Sequence, residues 1–252
     1  MTALQQSPAF ARALEVYGAT IASTAPVVLR RQIAGRLPVT FASRIRPDQL
    51  SATRPRIING ETDTPSLYRA AGYRQILTPA HVAEWDLSTD LRAGLHVKWR
   101  NQLRKVEKSG LRIRTATWTG TDHPLLHYAA ETAKKRRFKL LPARLIATFA
   151  QLHPGDAMMF EVYDKGHMIA ALLVLRHGTT ATLQTAWTSA LGRALNAHNL
   201  LFFKAATALA QLGHTTFDLG IVETDHAPTL ARFKLRTGAA LRALGGTWIR
   251  LR

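Results

Sequence analysis

Residues 157–188, AMMFEVYDKGHMIAALLVLRHGTTATLQTAWT, decide the fold of this chain. Three runs rich in aliphatic, β-branched and aromatic residues, 157–163, 167–175 and 180–188, are separated by short turns that contain glycine. Runs of this kind joined by tight turns are typical of antiparallel neighbours in one sheet. The stretch therefore predicts a three-stranded antiparallel meander.

The residues after the meander alternate between helical and extended patterns. Helices are predicted from about Asn196 to Leu212 and from Ala227 to Arg236, with strands over Thr215–Leu219 and Leu241–Leu251. A strand, a helix and a second strand in this order form a parallel pair, and their connection is expected to be right-handed. With a helical pair before the meander, the pattern predicts an α/β fold whose mixed, mostly antiparallel sheet is flanked by helices.

The first part of the chain is less strongly patterned. Short strands are predicted at 27–29 and 39–42, and the proline- and arginine-rich stretch 44–63 is typical of a loop. We therefore expect two domains, a short, degenerate N-terminal α/β lobe over 1–75 and a larger domain over 76–252.

The composition is strongly basic. Among 252 residues, 34 Lys and Arg stand against 16 Asp and Glu, which gives a formal net charge of +18 at pH 7. Such a surface attracts polyanions, namely RNA, DNA, anionic lipid or phosphate-rich substrates. An arginine-rich composition without a polyanion partner is the alternative, because net charge reports on association rather than on fold.

The composition also excludes several classes of site. The chain has no Cys, so disulfides, a thiolate nucleophile and Cys-ligated metals are excluded. No apolar run approaches the roughly 20 residues of a membrane-spanning helix, and the N-terminus lacks the pattern of a secretory signal, so we expect a cytoplasmic protein. His123 and His127 are four residues apart on a predicted helix, but no third ligand is evident and we expect no metal site.

Three motifs resemble those of the FemAB-like branch of the GNAT acyltransferase superfamily. Residues 98–105, KWRNQLRK, resemble its KWRNxLRK helix, and residues 217–220, FDLG, resemble its YDLG strand end. Residues 231–238, ARFKLRTG, resemble its FKxxFG motif. The motifs follow the family's order, with the meander between the first two, and the resemblance covers residues from about 73 to 252. It implies a GNAT-like fold and transfer of an acyl or aminoacyl group to an amine.

Three residues near the end of the chain are candidates for the reaction, and the resemblance implies the role of one of them, Lys234. Lys234 would stabilise the oxyanion of the tetrahedral intermediate, where one well-placed donor lowers the barrier by about a few kcal/mol; a solvated helix lysine is the alternative. Phe233 would wall the cleft or pack the acceptor, or serve as an ordinary core aromatic. Asp218 would take a proton from the attacking ammonium, or cap a loop. The reacting atoms are expected between splayed strands near Thr188 and Leu219.

The donor is less clearly indicated. GNAT proteins that use CoA carry a Gln/Arg-x-x-Gly-x-Gly/Ala turn, whose backbone N–H groups hold the pyrophosphate at a helix N-terminus. The segment 193–199 reads RALNAHN, so the glycine positions hold Asn196 and His198, whose Cβ atoms obstruct a close approach. We therefore favour an aminoacyl-tRNA, the donor of Fem-type enzymes, over acetyl- or acyl-CoA. Asn196, His198 and Asn199 are candidate donor contacts, with plain helix capping by Asn196 as the alternative.

The basic helix of the first motif carries further candidates. Phosphate contact is predicted for its polar residues, of which we single out Lys98, Arg100, Asn101 and Arg104. A solvated basic helix face is the alternative.

The function predicted on these grounds is N-acyl transfer, without a tightly bound cofactor, from aminoacyl-tRNA or alternatively from acyl-CoA. A rival of another class is a catalytically inactive RNA- or DNA-binding protein on the same scaffold, distinguished by the absence of transfer with any donor. Weak contact with an anionic membrane is a further possibility, although no strong amphipathic anchor is visible. The acceptor amine and the oligomeric state stay open.

Overall fold

The structure, a computed structural model, describes residues 2–33, 35 and 37–251. It divides into two compact units, the larger over Ala83–Ala240 and the N-terminal unit over Thr2–Val82 together with 241–251. The domains predicted over 1–75 and 76–252 stay a prediction as functional units. Residues 241–251 belong to the same compact unit as residues 2–82 and not to the larger unit.

Nine α-helices and thirteen strands are seen among the described residues. The helices, α1 to α9 in chain order, are Pro8–Tyr17, Leu50–Thr53, Pro65–Ala70, Val97–Glu107, Pro124–Arg136, Ala143–Leu152, Ala190–Ala194, Ala197–Gln211 and Pro228–Leu235. The strands, β1 to β13, are Ile21–Thr24, Val27–Ile33, Leu37–Ile45, Ile57–Gly60, Arg74–Leu77, His81–Asp86, Arg112–Thr117, Ala157–Asp164, His167–His177, Thr180–Thr188, Thr216–Val222, Ala240–Ala243 and Thr247–Ile249.

The N-terminal unit is built on a six-stranded sheet with the order β1-β2-β3-β4-β13-β5. The C-terminal strand β13 lies between β4 and β5, where Trp248 stands opposite Ile58 on one side and Gln75 on the other. The Trp248 ring is fully buried and packs against Tyr68 with ring centroids 5.4 Å apart. The end of the chain thus supplies the central aromatic side chain of this core.

The prediction of one strand over Leu241–Leu251 is wrong, because two glycines turn the chain between β12 and β13. A Cβ on Gly245 would lie 2.5 Å from the Thr62 carbonyl oxygen, and Gly246 has a φ of +77° that favours glycine. The loop predicted over 44–63 is also interrupted, by α2 and β4. Both differences depend on contacts between residues far apart in sequence.

Within the larger unit, the strands follow the order β6-β11-β10-β9-β8-β7 across the sheet. Strands β7 to β10 are antiparallel neighbours, and β10 pairs with β11 in parallel. The three-stranded meander is confirmed as β8, β9 and β10, and the mixed, mostly antiparallel α/β sheet flanked by helices is confirmed with it.

The main core of the larger unit lies on the face of the sheet that α4 and α8 cover. Phe160 of β8 and Leu172 of β9 point to this face and are fully buried. They pack with Trp99 of α4 and Phe202 of α8, both 1% exposed. Helix α8 therefore connects β10 to β11 across a large apolar surface, whose burial is the dominant stabilising term.

Candidate active site

The sheet of the larger unit opens between β10 and β11. The parallel pairing of these strands ends at Thr182 and Asp218, whereas β10 continues to Thr188 and β11 to Val222. Just after Thr182, the pairing of β10 with β9 carries a bulge, which bends a strand and increases its twist. The open stretch lies where the cleft is predicted, and there the facing edges of β10 and β11 are not paired with each other.

Lys234 reaches this opening from α9. Its side chain is 7% exposed, and its Nζ donates a hydrogen bond of 2.8 Å to the backbone carbonyl of Ile221, in the part of β11 beyond its pairing with β10. Burial lowers the pKa of Lys234 to about 8, against the opposing effect of the Asp218 charge. Because the pKa stays above 7, the lysine is a buried cation at neutral pH.

Asp218 stands at the point where the two strands part. Its Oδ1 accepts a hydrogen bond of 2.7 Å from the Gly220 backbone N–H, and the side chain is buried. Gly220 has a φ of +78°, so the carboxylate closes a tight turn within the strand end. Asp218 thus orders the backbone beside Lys234 and also supplies the negative charge that supports the Lys234 ammonium.

Phe233 joins the opening to the core. Its ring lies 5.0 Å from the Phe202 ring, 5.9 Å from the Trp99 ring and 6.1 Å from the His198 ring, measured between centroids. The contact with Phe202 is edge-to-face, an arrangement that is favourable for aromatic rings, and the other two rings are tilted against Phe233. The contacts fix α9, and therefore Lys234, against α4 and α8.

His198 bonds to the other strand of the opening. Its Nε2 donates to the Trp187 backbone carbonyl at 3.0 Å, and burial lowers the pKa of His198 to about 4. The imidazole is therefore neutral at pH 7. The carbonyl of Trp187 in β10 thus accepts from His198 of α8, and the carbonyl of Ile221 in β11 accepts from Lys234 of α9.

The other two donor candidates lie on either side of His198. Asn196 caps α8 with a φ of +57° and no side-chain capping bond among the described residues, so it keeps a conformation typical of glycine while carrying a Cβ. Asn199 is buried, and its Nδ2 donates to Gln102 Oε1 at 3.5 Å, which directs it toward α4.

A sequence comparison now identifies the family. The model of the family described as Acetyltransferase (GNAT) domain matches residues 96–234. The chain belongs to this GNAT family. It is accordingly an acyltransferase, as predicted. No protein of curated function matches the sequence.

Solved structures share the fold of this GNAT protein at low sequence identity. The crystal structure of FemX superposes with a TM-score of 0.73 at 12% identity, covering 98% of this chain and 91% of that chain. The C-terminal domain of a putative lysylphosphatidylglycerol synthetase from Agrobacterium fabrum gives 0.64 at 15% identity, with 98% and 88% covered. L-PGS from Bacillus licheniformis gives 0.58 at 12% identity, with 99% and 94% covered. The resemblance to the FemAB-like branch is thereby confirmed for the fold.

The basic candidates of this GNAT protein lie along α4, which begins after His96 caps it through the Lys98 backbone N–H. Arg100 turns back on the chain, and one of its terminal nitrogens donates to the carbonyls of Ala93 and Leu95 at 2.9 Å each. Part of its donor capacity is therefore used inside the fold. The candidates Lys98, Asn101 and Arg104 have exposed side chains, and phosphate contact stays a prediction for all four.

The two histidines of α5 do not face one another. His123 Nε2 lies 3.2 Å from Glu161 Oε1, and His127 Nε2 lies 2.8 Å from Asp122 Oδ1. Over the described ranges, no group of three or more His, Cys, Asp or Glu side chains is placed to hold a metal ion. No helix in the described part of the chain has the length and apolar character to cross a membrane.

Proposed function

We propose that this GNAT protein is an N-acyltransferase that moves an aminoacyl or acyl group onto an amine, with Lys234 as its catalytic residue. The observation that carries the proposal is the buried Lys234 ammonium at the opening between β10 and β11. Its hydrogen bond is to the Ile221 carbonyl rather than to a carboxylate. A cation held in a site of low dielectric is suited to stabilise developing negative charge.

The proposed step is a direct displacement. The neutral acceptor amine attacks the donor carbonyl carbon, so that a C–N bond forms and the carbonyl oxygen becomes an oxyanion. Lys234 Nζ donates to that oxygen. The ester C–O or thioester C–S bond then breaks, the amine nitrogen loses its proton, and the leaving oxygen or sulfur gains one. Because positioning supplies much of the rate, few catalytic side chains are required.

For the donor, we propose an aminoacyl-tRNA. The net charge of +18 favours a polyanionic donor. The positions that hold glycine in CoA-using relatives carry the Asn196 side chain and the His198 imidazole, and the imidazole is bonded to the Trp187 carbonyl. These side chains take up space where a pyrophosphate would need the bare backbone.

An acyl-CoA donor is the second candidate, on a different observation. Helix α8 has 15 residues, and Asn196 makes no capping bond to it among the residues described. Of the backbone N–H groups in its first turn, that of Asn199 donates to the Asn196 carbonyl at 3.0 Å. Those of Ala197 and His198 make no hydrogen bond among the residues described, so they stay available to a phosphate, which a helix N-terminus attracts.

Transfer assays with both donors test the proposal. Lys234→Met should lower kcat at least about 100-fold, the loss typical of one oxyanion donor. Arg232→Met is the matched control, because Arg232 is an exposed cation two residues earlier on α9, and it should change kcat less than twofold. Transfer from charged tRNA but not from acetyl-CoA is the expected donor preference.

Three results would contradict the proposal. An active and folded Lys234→Met enzyme would exclude the role of Lys234. Transfer from acetyl-CoA alone would replace the donor. Salt-dependent RNA binding without transfer from either donor would favour the inactive binding protein instead.

A further inference from the structure

A row of side chains crosses the sheet of the larger unit on the face opposite the main core. Glu161 of β8 stands directly opposite Arg114 of β7 and Ala171 of β9, and Ala171 stands opposite Trp187 of β10. Paired residues of neighbouring strands share one face. The four side chains therefore point to the same side, away from the face that α4 and α8 cover.

Helix α5 lies over this row and contacts it at two places. Near its start, His123 bonds to Glu161. Farther along, the Tyr128 ring stacks on the Trp187 ring with centroids 4.1 Å apart and planes inclined by 18°. His123 precedes α5 in an extended conformation, and the four helical steps from Pro124 to Tyr128 rise about 6 Å. With one extended residue of about 3.3 Å, the span approaches that of two strand spacings, about 9.6 Å, so the two contacts fit one segment crossing above the small Ala171.

The first contact fixes the start of α5. His123 Nδ1 accepts a hydrogen bond of 3.1 Å from the Leu125 backbone N–H, so its proton is on Nε2, which donates to Glu161. Tyr163 Oη donates to the same carboxylate oxygen at 2.8 Å, and Arg114 Nε lies 3.8 Å from the other oxygen. The buried Glu161 carboxylate thus accepts two hydrogen bonds on one oxygen and has a longer ion pair on the other, which makes it an anchor for His123.

The second contact lies beside the opening of the sheet. Trp187 belongs to the part of β10 that has left β11, and its carbonyl is held by His198. Both rings of the stack are half-buried, so apolar ring surface remains accessible next to the strands between which Lys234 reaches. The mechanism proposed above uses neither Tyr128 nor Trp187.

We propose that the Tyr128–Trp187 stack is the acceptor subsite, which packs a ring with an apolar face, either a sugar or an aromatic ring, that carries the attacked amine. The His123–Glu161 pair is its positioning element, since it places α5 and therefore Tyr128. Aromatic side chains supply a large contact area at low entropic cost, and apolar groups pack on them favourably. That the bound amine is the acceptor rests on the proposed function. Binding of its ring to the stack does not depend on transfer and is tested separately.

Direct binding of three amines tests the subsite without turnover. Tyramine and glucosamine carry a ring and ethanolamine does not, and saturation-transfer NMR reports which protons contact the protein. We expect at least one ring-bearing amine to bind about tenfold more tightly than ethanolamine. Tyr128→Leu should raise its Kd about tenfold, whereas His127→Gln, on the exposed neighbour along α5, should leave the Kd within twofold.

The positioning element has its own matched control. Helix α5 begins beside two pairs of His and acid, the buried His123–Glu161 pair and the exposed His127–Asp122 pair. Glu161→Gln should raise the Kd and the KM for the ring-bearing amine about threefold to tenfold with less than twofold change in kcat. Asp122→Asn should change neither. A general loss of structure would lower kcat and the melting temperature together, which distinguishes it from a loss of positioning.

Two results would overturn the inference. One is equal binding of all three amines, and the other is an unchanged Kd in a folded Tyr128→Leu variant. Failure of the proposed function would give a different result. The Lys234→Met variant would then still transfer the acyl group, while the Tyr128→Leu variant would still lose affinity for the ring. Conversely, intact ring binding in an inactive Lys234→Met protein supports both.

Discussion

Arg44 of the N-terminal unit and Lys234 of the larger unit are both buried cations, 8% and 7% exposed, yet their surroundings differ. Arg44 forms an ion pair with Glu61 through two of its nitrogens, and Arg242 adds a second guanidinium 2.7 Å from Glu61 Oε1. Lys234 Nζ instead donates to one backbone carbonyl, with Asp218 as a supporting charge. A buried charge that is fully paired holds structure together, whereas one paired with a dipole remains able to attract a new negative charge.

The largest effect expected from this comparison is on the paired cation. Arg44→Met should lower the free energy of unfolding by about 3 kcal/mol, because the buried Glu61 carboxylate loses its principal partner. Urea denaturation followed by circular dichroism and tryptophan fluorescence measures the change. The matched control is Arg46→Met, since Arg46 forms an exposed pair with Asp48 at 3.0 Å, and its effect should stay below about 0.5 kcal/mol. Equal effects of the two variants would contradict the structural role of the buried pair.

For Lys234, the second buried cation, we expect substitution to raise the free energy of unfolding. Folding lowers the pKa of Lys234 from 10.5 to about 8, so the folded state resists the charged form, which costs up to about 3 kcal/mol at pH 7. Lys234→Met removes that cost and should raise the free energy of unfolding by about 1–3 kcal/mol, the loss of the Ile221 hydrogen bond being the offset.

The pH dependence of stability is the control for the Lys234→Met prediction. Between pH 8 and 10.5 the unfolded state binds the proton that the folded state has lost, so the stability contributed by this group rises with pH. The difference in the free energy of unfolding between Lys234→Met and the unchanged protein should therefore decrease from pH 8 to pH 10.5. A variant less stable at pH 7, or a gain that does not depend on pH, would show that the Lys234 ammonium is better compensated than its contacts indicate.

Much of the fold could be predicted because its signals are local. The meander, α8 and α9 follow from hydrophobic period, turn glycines and caps within a few residues of one another. The return of β13 to the N-terminal sheet could not be predicted, since it depends on Trp248 meeting Ile58 and Tyr68 and on Gly245 approaching Thr62. Contacts over such separations leave no periodic trace in the sequence.

The candidate site divides in the same way. Lys234, Phe233 and Asp218 lie in two short motifs, so the resemblance points to Lys234, and position in the sequence points to the other two. The sequence does not indicate that Tyr128 and Trp187 meet, because their stack depends on the register of the strands and on where α5 crosses them. The spacing of His123 and His127 indicated a shared helix face, but only the tertiary structure shows that each faces a different carboxylate.

The smallest expected effect concerns catalysis by Lys234, the cation that is bonded to a backbone carbonyl. Only the protonated Lys234 ammonium can stabilise an oxyanion, and its pKa of about 8 means that kcat should fall tenfold per pH unit above that value. Deprotonation of the acceptor amine acts in the opposite direction, so the informative quantity is a ratio. Lys234→Arg shares the acceptor and keeps its charge at every accessible pH. Its kcat relative to that of the unchanged enzyme should therefore be flat below pH 7 and rise about tenfold between pH 8.5 and 9.5. A ratio that stays flat throughout would show that the protonation of Lys234 does not govern turnover, and the contrast with Arg44 would then be one of stability alone.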